Sequence, residues 1–190
     1  MRIKVFDGIL WGVTFLLVVT VFLMPDTVPL HWDENWQIDG YGSRYMFLIL
    51  AFIPMAIYYG MSLTKHIDPK RMNLEKRKKT YRLFQYGLTV FFLILAAFFE
   101  YSAFNPQQDG EQFVLLLVSV LLIGMGNYLP KIPQNYFFGV KTPWTLASEY
   151  VWKKTHKISG YCFVVIGLIT GISALAHFSY TYLVLMIGVL

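Results

Sequence analysis

Six apolar runs, at residues 9–24, 45–63, 83–104, 113–129, 161–178 and 180–190, alternate with short polar segments along the chain. The first five approach the roughly 20 residues a helix needs to cross a bilayer. Buried strands end after about 4–8 residues, so runs of this length predict helices. Lipid offers no hydrogen-bond partners, which also favours segments whose backbone groups pair internally. The last run has 11 residues, about 16 Å of helix against a hydrocarbon layer of roughly 30 Å. The pattern therefore predicts an all-α fold, a polytopic transmembrane helical bundle of five to six spans. It reads as a single membrane domain over 1–190, with a first helical hairpin over 1–63, further helices over 83–190 and a long polar loop over 127–160.

Composition sharpens this picture. The chain is 56% hydrophobic, 18% aromatic and 14% charged, too apolar and too sparsely charged for a soluble domain of this size. Of its 16 Lys and Arg residues, Arg2 and Lys4 precede the first run, eight lie between the second and third, and five fall in the 127–160 loop. Only Arg44 lies in the other set of loops, beside Asp26, Asp33, Glu34 and Asp39. Short cytoplasmic loops retain basic residues, so the N-terminus is expected in the cytoplasm, the 25–44 loop outside and the 127–160 loop inside. The net charge of +5 is explained by basic side chains beside anionic headgroups, with no nucleic-acid partner required. Arg2 and Lys4 before an apolar stretch resemble a secretory signal, but Pro25-Asp26 follows where a small-residue cleavage site would be needed. The single cysteine, Cys162, lies in a predicted span and forms no internal disulfide.

Two loops carry the candidate chemistry. In the outer one, Pro25 and Pro29 are expected to end the first helix, and Asp39-Gly40 and Gly42-Ser43 to make tight turns. His31, Asp33 and Asp39 are candidate ligand residues and, as a mixed nitrogen and oxygen set, weak candidates for a divalent metal. The competing reading is structural, with His31 bonded to the loop and Trp32 and Trp36 as interfacial anchors. No cofactor is indicated.

In the inner loop, Thr142 suits an N-cap and Pro143 a first helical residue, predicting a helix over 143–157. Thr145, Glu149, Trp152 and His156 recur at spacings of four, three and four, which places them on one face. Gly139 is expected to free the backbone before the cap, and Asn127 to cap carbonyls or bond the loop. Glu149 and His156 lie about 10 Å apart along such a helix, with Trp152 between them, so each needs partners elsewhere, such as Lys131 or Asn135. That face either docks on the bundle, with Glu149 and His156 satisfying loop amides, or meets a protein or peptide.

Ionisable residues within the spans are few, Glu100 and His177, and both lie near helix ends, where an interfacial role is expected. Gly124 with Gly126, and Gly167 with Gly171, suit close helix packing.

The inner loop closely resembles the SdpI immunity-protein family of bacterial membrane proteins. It carries Asn127-x-x-Pro130-Lys131, then Asn135, then Gly139-Val140-Lys141-Thr142-Pro143-Trp144-Thr145-Leu146, and ends Glu149-x-Val151-Trp152-x-x-Thr155-His156. The outer loop resembles the domain of unknown function that commonly precedes it, with Pro29-x-His31-Trp32 and Asp39-Gly40-x-Gly42-Ser43-Arg44. It departs at Trp36, where that pattern usually has Gly, and at Ile38, where Pro is common. The resemblance implies a multi-pass protein of the bacterial cell membrane, in contact with the lipid bilayer, that gives immunity to a secreted peptide toxin. It also implies signalling, by holding a transcriptional repressor at the membrane when toxin is present, with the inner motif as the partner-binding surface and no enzymatic activity. Two other functions stay open on the residues alone. A membrane-embedded metal-dependent hydrolase would use either loop's residues, although neither has an HExxH spacing or a nucleophile elbow. A small transporter would need a polar midplane path, which the spans lack.

Overall fold

The computed structural model describes residues 2–33, 36–106 and 110–178, together with Thr181, Leu185 and Gly188. Helix α1 (Arg2–Leu23) is followed by strands β1 (Thr27–Trp32) and β2 (Ile38–Ser43), then by helices α2 (Met46–Ile67), α3 (Arg71–Lys76), α4 (Lys78–Phe104) and α5 (Glu111–Tyr128). A 3-10 turn (Leu129–Lys131) leads through an irregular loop to α6 (Pro143–Ala147) and α7 (Glu149–Leu175). Among the described residues, five helices (α1, α2, α4, α5 and α7) are long and apolar enough to cross a membrane. Large apolar side chains such as Phe15, Leu16, Phe22, Val120 and Ile172 stand exposed on them, as expected where the solvent is lipid. The sixth apolar run, 180–190, falls mostly outside the described residues.

The chain divides into two compact units, one of residues 1–58 and 89–111, the other of 59–88 and 112–190. In the first, Leu17, Ala51 and Ala96 form one buried cluster, and Val21, Met24, Val28, Phe47 and Ala103 another. Ala51 and Ala96 are fully buried, small residues that let helix backbones approach closely without a water-driven hydrophobic force. Glu100 departs from its expected interfacial place. It is 3% exposed, takes a hydrogen bond from the Thr20 hydroxyl on Oε2, and has no partner on Oε1.

The outer loop also differs from expectation. Its residues pair as an antiparallel β-hairpin, with Val28 opposite Gly42 and Trp32 opposite Ile38. Asp39-Gly40 and Gly42-Ser43 therefore lie within β2 instead of forming turns, because the glycines give the facing strand room. A Cβ on Gly40 would lie 2.9 Å from that of His31. Arg44 anchors the hairpin base, donating to the Met24 carbonyl at 2.7 Å and pairing with Asp26 at 3.2 Å.

In the second unit the helices approach through glycine. A Cβ on Gly126 would lie 2.6 Å from the Gly160 carbonyl oxygen, and one on Gly167 2.9 Å from that of Ser119. Gly171 meets the Ser119 side chain, whereas Gly124 faces open space. Gly126 is thus matched with Gly160 across two helices, and Gly124 takes no part.

Candidate functional site

The motif loop is built from side chains that bond backbone. Asn135, fully buried, accepts the amides of Phe137 and Phe138 on Oδ1 at 2.9 and 2.7 Å. Its Nδ2 donates to the carbonyls of Pro133 and Phe138. A single amide side chain thereby replaces the secondary structure that residues 133–138 lack. Thr142 caps α6 as the sequence predicts, with Thr142 Oγ1 accepting the Thr145 amide at 3.2 Å and Thr145 Oγ1 accepting the Thr142 amide at 2.8 Å. Pro143 follows at the first helical position.

The expected continuous helix over 143–157 is in fact two. Ser148 has extended backbone angles, closes α6 and caps α7 by accepting the Val151 amide. Thr145 and Glu149 consequently fall out of phase with a single helical face. Thr145, Trp152 and His156 are buried, whereas Glu149 is exposed and pairs with Lys153 at 2.8 Å. Glu149 satisfies no loop amide.

His156 does. Its Nε2 accepts the Val140 amide at 3.1 Å, and its Nδ1 lies 2.9 Å from the Trp152 carbonyl oxygen. An amide can only donate and a carbonyl only accept, so these partners select the neutral ring protonated at Nδ1. The ring stacks on Trp152 with centroids 4.0 Å apart, and Trp152 Nε1 donates to the Ile132 carbonyl at 2.9 Å. Gly139, at φ 107°, lies at the Nε2 edge of the imidazole, so close that a Cβ there would collide with Nε2. Its backbone angle and its lack of a side chain are both required.

Lys131 stands over the Tyr128 ring and Asn127 bonds the Ile123 carbonyl of its own helix, so neither supplies a partner for Glu149 or His156. Pro130 packs against Gly160, and Thr155 is half-buried on α7. Trp144 is 72% exposed. Two residues absent from the sequence reading tie the loop down. Asp68, buried, accepts the Lys70 and Tyr136 amides, while Gln134 donates to the carbonyls of Thr145 and Leu146 and accepts from Lys70. The Asp68-Pro69 turn signal and the clustered carbonyls of a short helix were the available hints.

The hairpin holds its polar residues differently. His31 Nδ1 lies 2.5 Å from Asp39 Oδ1, with the two side chains 72% and 47% exposed. Asp33 is directed elsewhere, accepting the Gln37 amide at 2.7 Å. The structure thus joins His31 with Asp39 and leaves Asp33 to the turn. Among the described residues no group of three His, Cys, Asp or Glu is placed to hold a metal ion. Trp36 adopts φ 59°, a left-handed conformation that favours glycine, at the position where the related pattern usually has Gly. It stacks on Trp32 with centroids 6.0 Å apart, and Trp32 packs on Phe99. Beneath, a cavity of about 220 Å³ is lined by Pro29, Leu30, Trp32, Met46, Phe47, Leu50 and Phe99.

Residues 131–190 match the SdpI/YfhL protein family. Residues 9–55, holding the hairpin, match a domain of unknown function, DUF1648. The full chain is 26% identical over 191 aligned residues to the immunity protein SdpI of Bacillus subtilis (strain 168), covering 100% of this chain and 89% of that one. No solved structure matches. The five apolar helices and this likeness describe a multi-pass bacterial membrane protein that is similar to an immunity protein.

Proposed function

We propose that the protein protects its cell from a secreted peptide toxin, which binds at the hairpin, and that it holds a transcriptional repressor at the motif loop. The observation that carries the first part is the apolar cavity under the hairpin. Its wall of Leu30, Trp32 and Phe99 suits an apolar side chain of a membrane-seeking peptide, and the exposed His31–Asp39 pair on the same hairpin offers polar contacts. The basic residues, fifteen of sixteen on one set of loops, put the N-terminus and the motif loop in the cytoplasm and the hairpin outside. Trp144 then projects from the cytoplasmic face with Tyr150, both 72% exposed. Aromatic side chains are enriched at protein-docking surfaces.

Toxin-sensitive cells expressing the intact chain should survive toxin that kills control cells, and unchanged killing would sink the immunity reading. Leu30→Gln, at the cavity rim, should abolish protection while the protein accumulates normally. Trp144→Ala should preserve protection but prevent a fluorescent repressor from moving to the membrane on toxin addition.

A further inference from the structure

A second cavity, of about 280 Å³, opens in the second unit, and Lys76, Arg77, Lys131, Lys153, Asn73 and Glu149 contribute to its wall. Four cations thus face one carboxylate. That carboxylate is already paired, with Glu149 holding Lys153 at 2.8 Å. Lys76, Arg77 and Lys131 make no ion pair among the described residues, which leaves an uncompensated positive charge within a concave site. The floor is rigid. Trp152 is fixed by its bond to the Ile132 carbonyl, and the Asn73 amide donates to the Gln134 carbonyl at 3.1 Å.

Position decides what such a cavity would hold. Lys131 closes one apolar span (Glu111–Lys131), and its neighbour Pro130 meets Gly160, where the apolar part of α7 begins, so the cavity lies just outside the hydrocarbon layer, in the headgroup region. Basic pockets between transmembrane helices at that depth take anionic lipid headgroups. We propose that this cavity is a binding site for the phosphate of an anionic phospholipid headgroup, held by Arg77 and Lys131, with Lys76 and Lys153 alongside. Arg77 supplies the planar fork that phosphate oxygens accept in pairs. Asn73 and the Gln134 backbone stand within the same wall for the hydroxyls of a glycerol headgroup. The site is separate from the exposed Trp144 surface and does not depend on the toxin or repressor reading.

The test uses the full chain in lipid nanodiscs, with retained lipid counted by native mass spectrometry from mixtures of phosphatidylglycerol and phosphatidylcholine. A cation that touches the bound headgroup phosphate directly should strengthen binding roughly fivefold, so Arg77→Gln with Lys131→Gln should weaken the phosphatidylglycerol preference about 25-fold. Lys154→Gln with Lys157→Gln removes the same charge from exposed positions outside the cavity and should leave most of the preference intact. Thermal unfolding in pure phosphatidylcholine discs should be the same for both pairs, which separates lost binding from lost folding. Equal losses in the two pairs would overturn the proposal in favour of diffuse surface charge. Protection of the intact protein by millimolar inorganic phosphate as effective as that by the lipid would make it a soluble-anion site instead. Retention of an acidic peptide with no lipid preference would assign the cavity to a protein partner and likewise overturn it.

Discussion

The two histidines of the signature loops show how differently the loops are made. His31 stands on a β-hairpin whose backbone pairs with itself, so its side chain is spent on nothing but an exposed partner, Asp39. His156 is 1% exposed, and both its ring nitrogens bond backbone groups. The motif loop has no strand pairing of its own among the described residues, so Asn135, Thr145, Asp68, Gln134 and His156 supply the hydrogen bonds that a sheet would have supplied. A residue pattern specific to a family can therefore record architecture as much as recognition. In the motif loop most signature residues hold the loop in shape and leave Trp144 to face outward. In the hairpin the backbone pairing does most of the holding, and the His31–Asp39 pair stands exposed.

Substitutions can break that contrast, and the largest effect is expected where the loop is tightest. Gly139→Val adds a side chain at φ 107° against the His156 ring and should cost about 3 kcal/mol or more, read by thermal unfolding in mild detergent. A tolerated valine would mean that the loop is held some other way. His156→Ala removes a buried ring and leaves the Val140 amide unpaired, an expected loss of about 2–4 kcal/mol in the same assay. Asn135→Ala strands the Phe137 and Phe138 amides and should cost about 2 kcal/mol, with faster hydrogen exchange confined to the loop. On the hairpin, Trp36→Gly relieves a left-handed backbone but loses the stack on Trp32, so the two changes should nearly cancel, to within about 1 kcal/mol. His31→Ala should move stability least, by no more than about 0.5 kcal/mol. If it destabilised the protein as much as His156→Ala does, the contrast between the loops would collapse.

The membrane fold was legible because lipid imposes one rule, internal pairing of the backbone, and runs of about 20 apolar residues are its direct signature. Thr142 and Pro143 were equally legible, since capping is a local matter. The hairpin was not. Its strands carry Pro29, Gly40 and Gly42, which read as turn formers, and their pairing joins positions that are not neighbours in the chain, such as Thr27 with Ser43. The break at Ser148 escaped because spacings of four, three and four satisfy one helix as readily as two. Glu100 read as interfacial from its place near a helix end, yet Thr20 on α1 meets it inside the first unit.

By itself, then, the sequence determined which segments are apolar enough to cross a membrane, which loops are basic, and which residues form the signature, because all three are properties of short contiguous segments. Only the tertiary structure decided what the signature residues do. Whether a histidine or an asparagine is free to bind a ligand depends on which distant backbone groups reach it first, and the positions that set this for His156, namely Gly139, Val140 and Trp152, are brought together by folding.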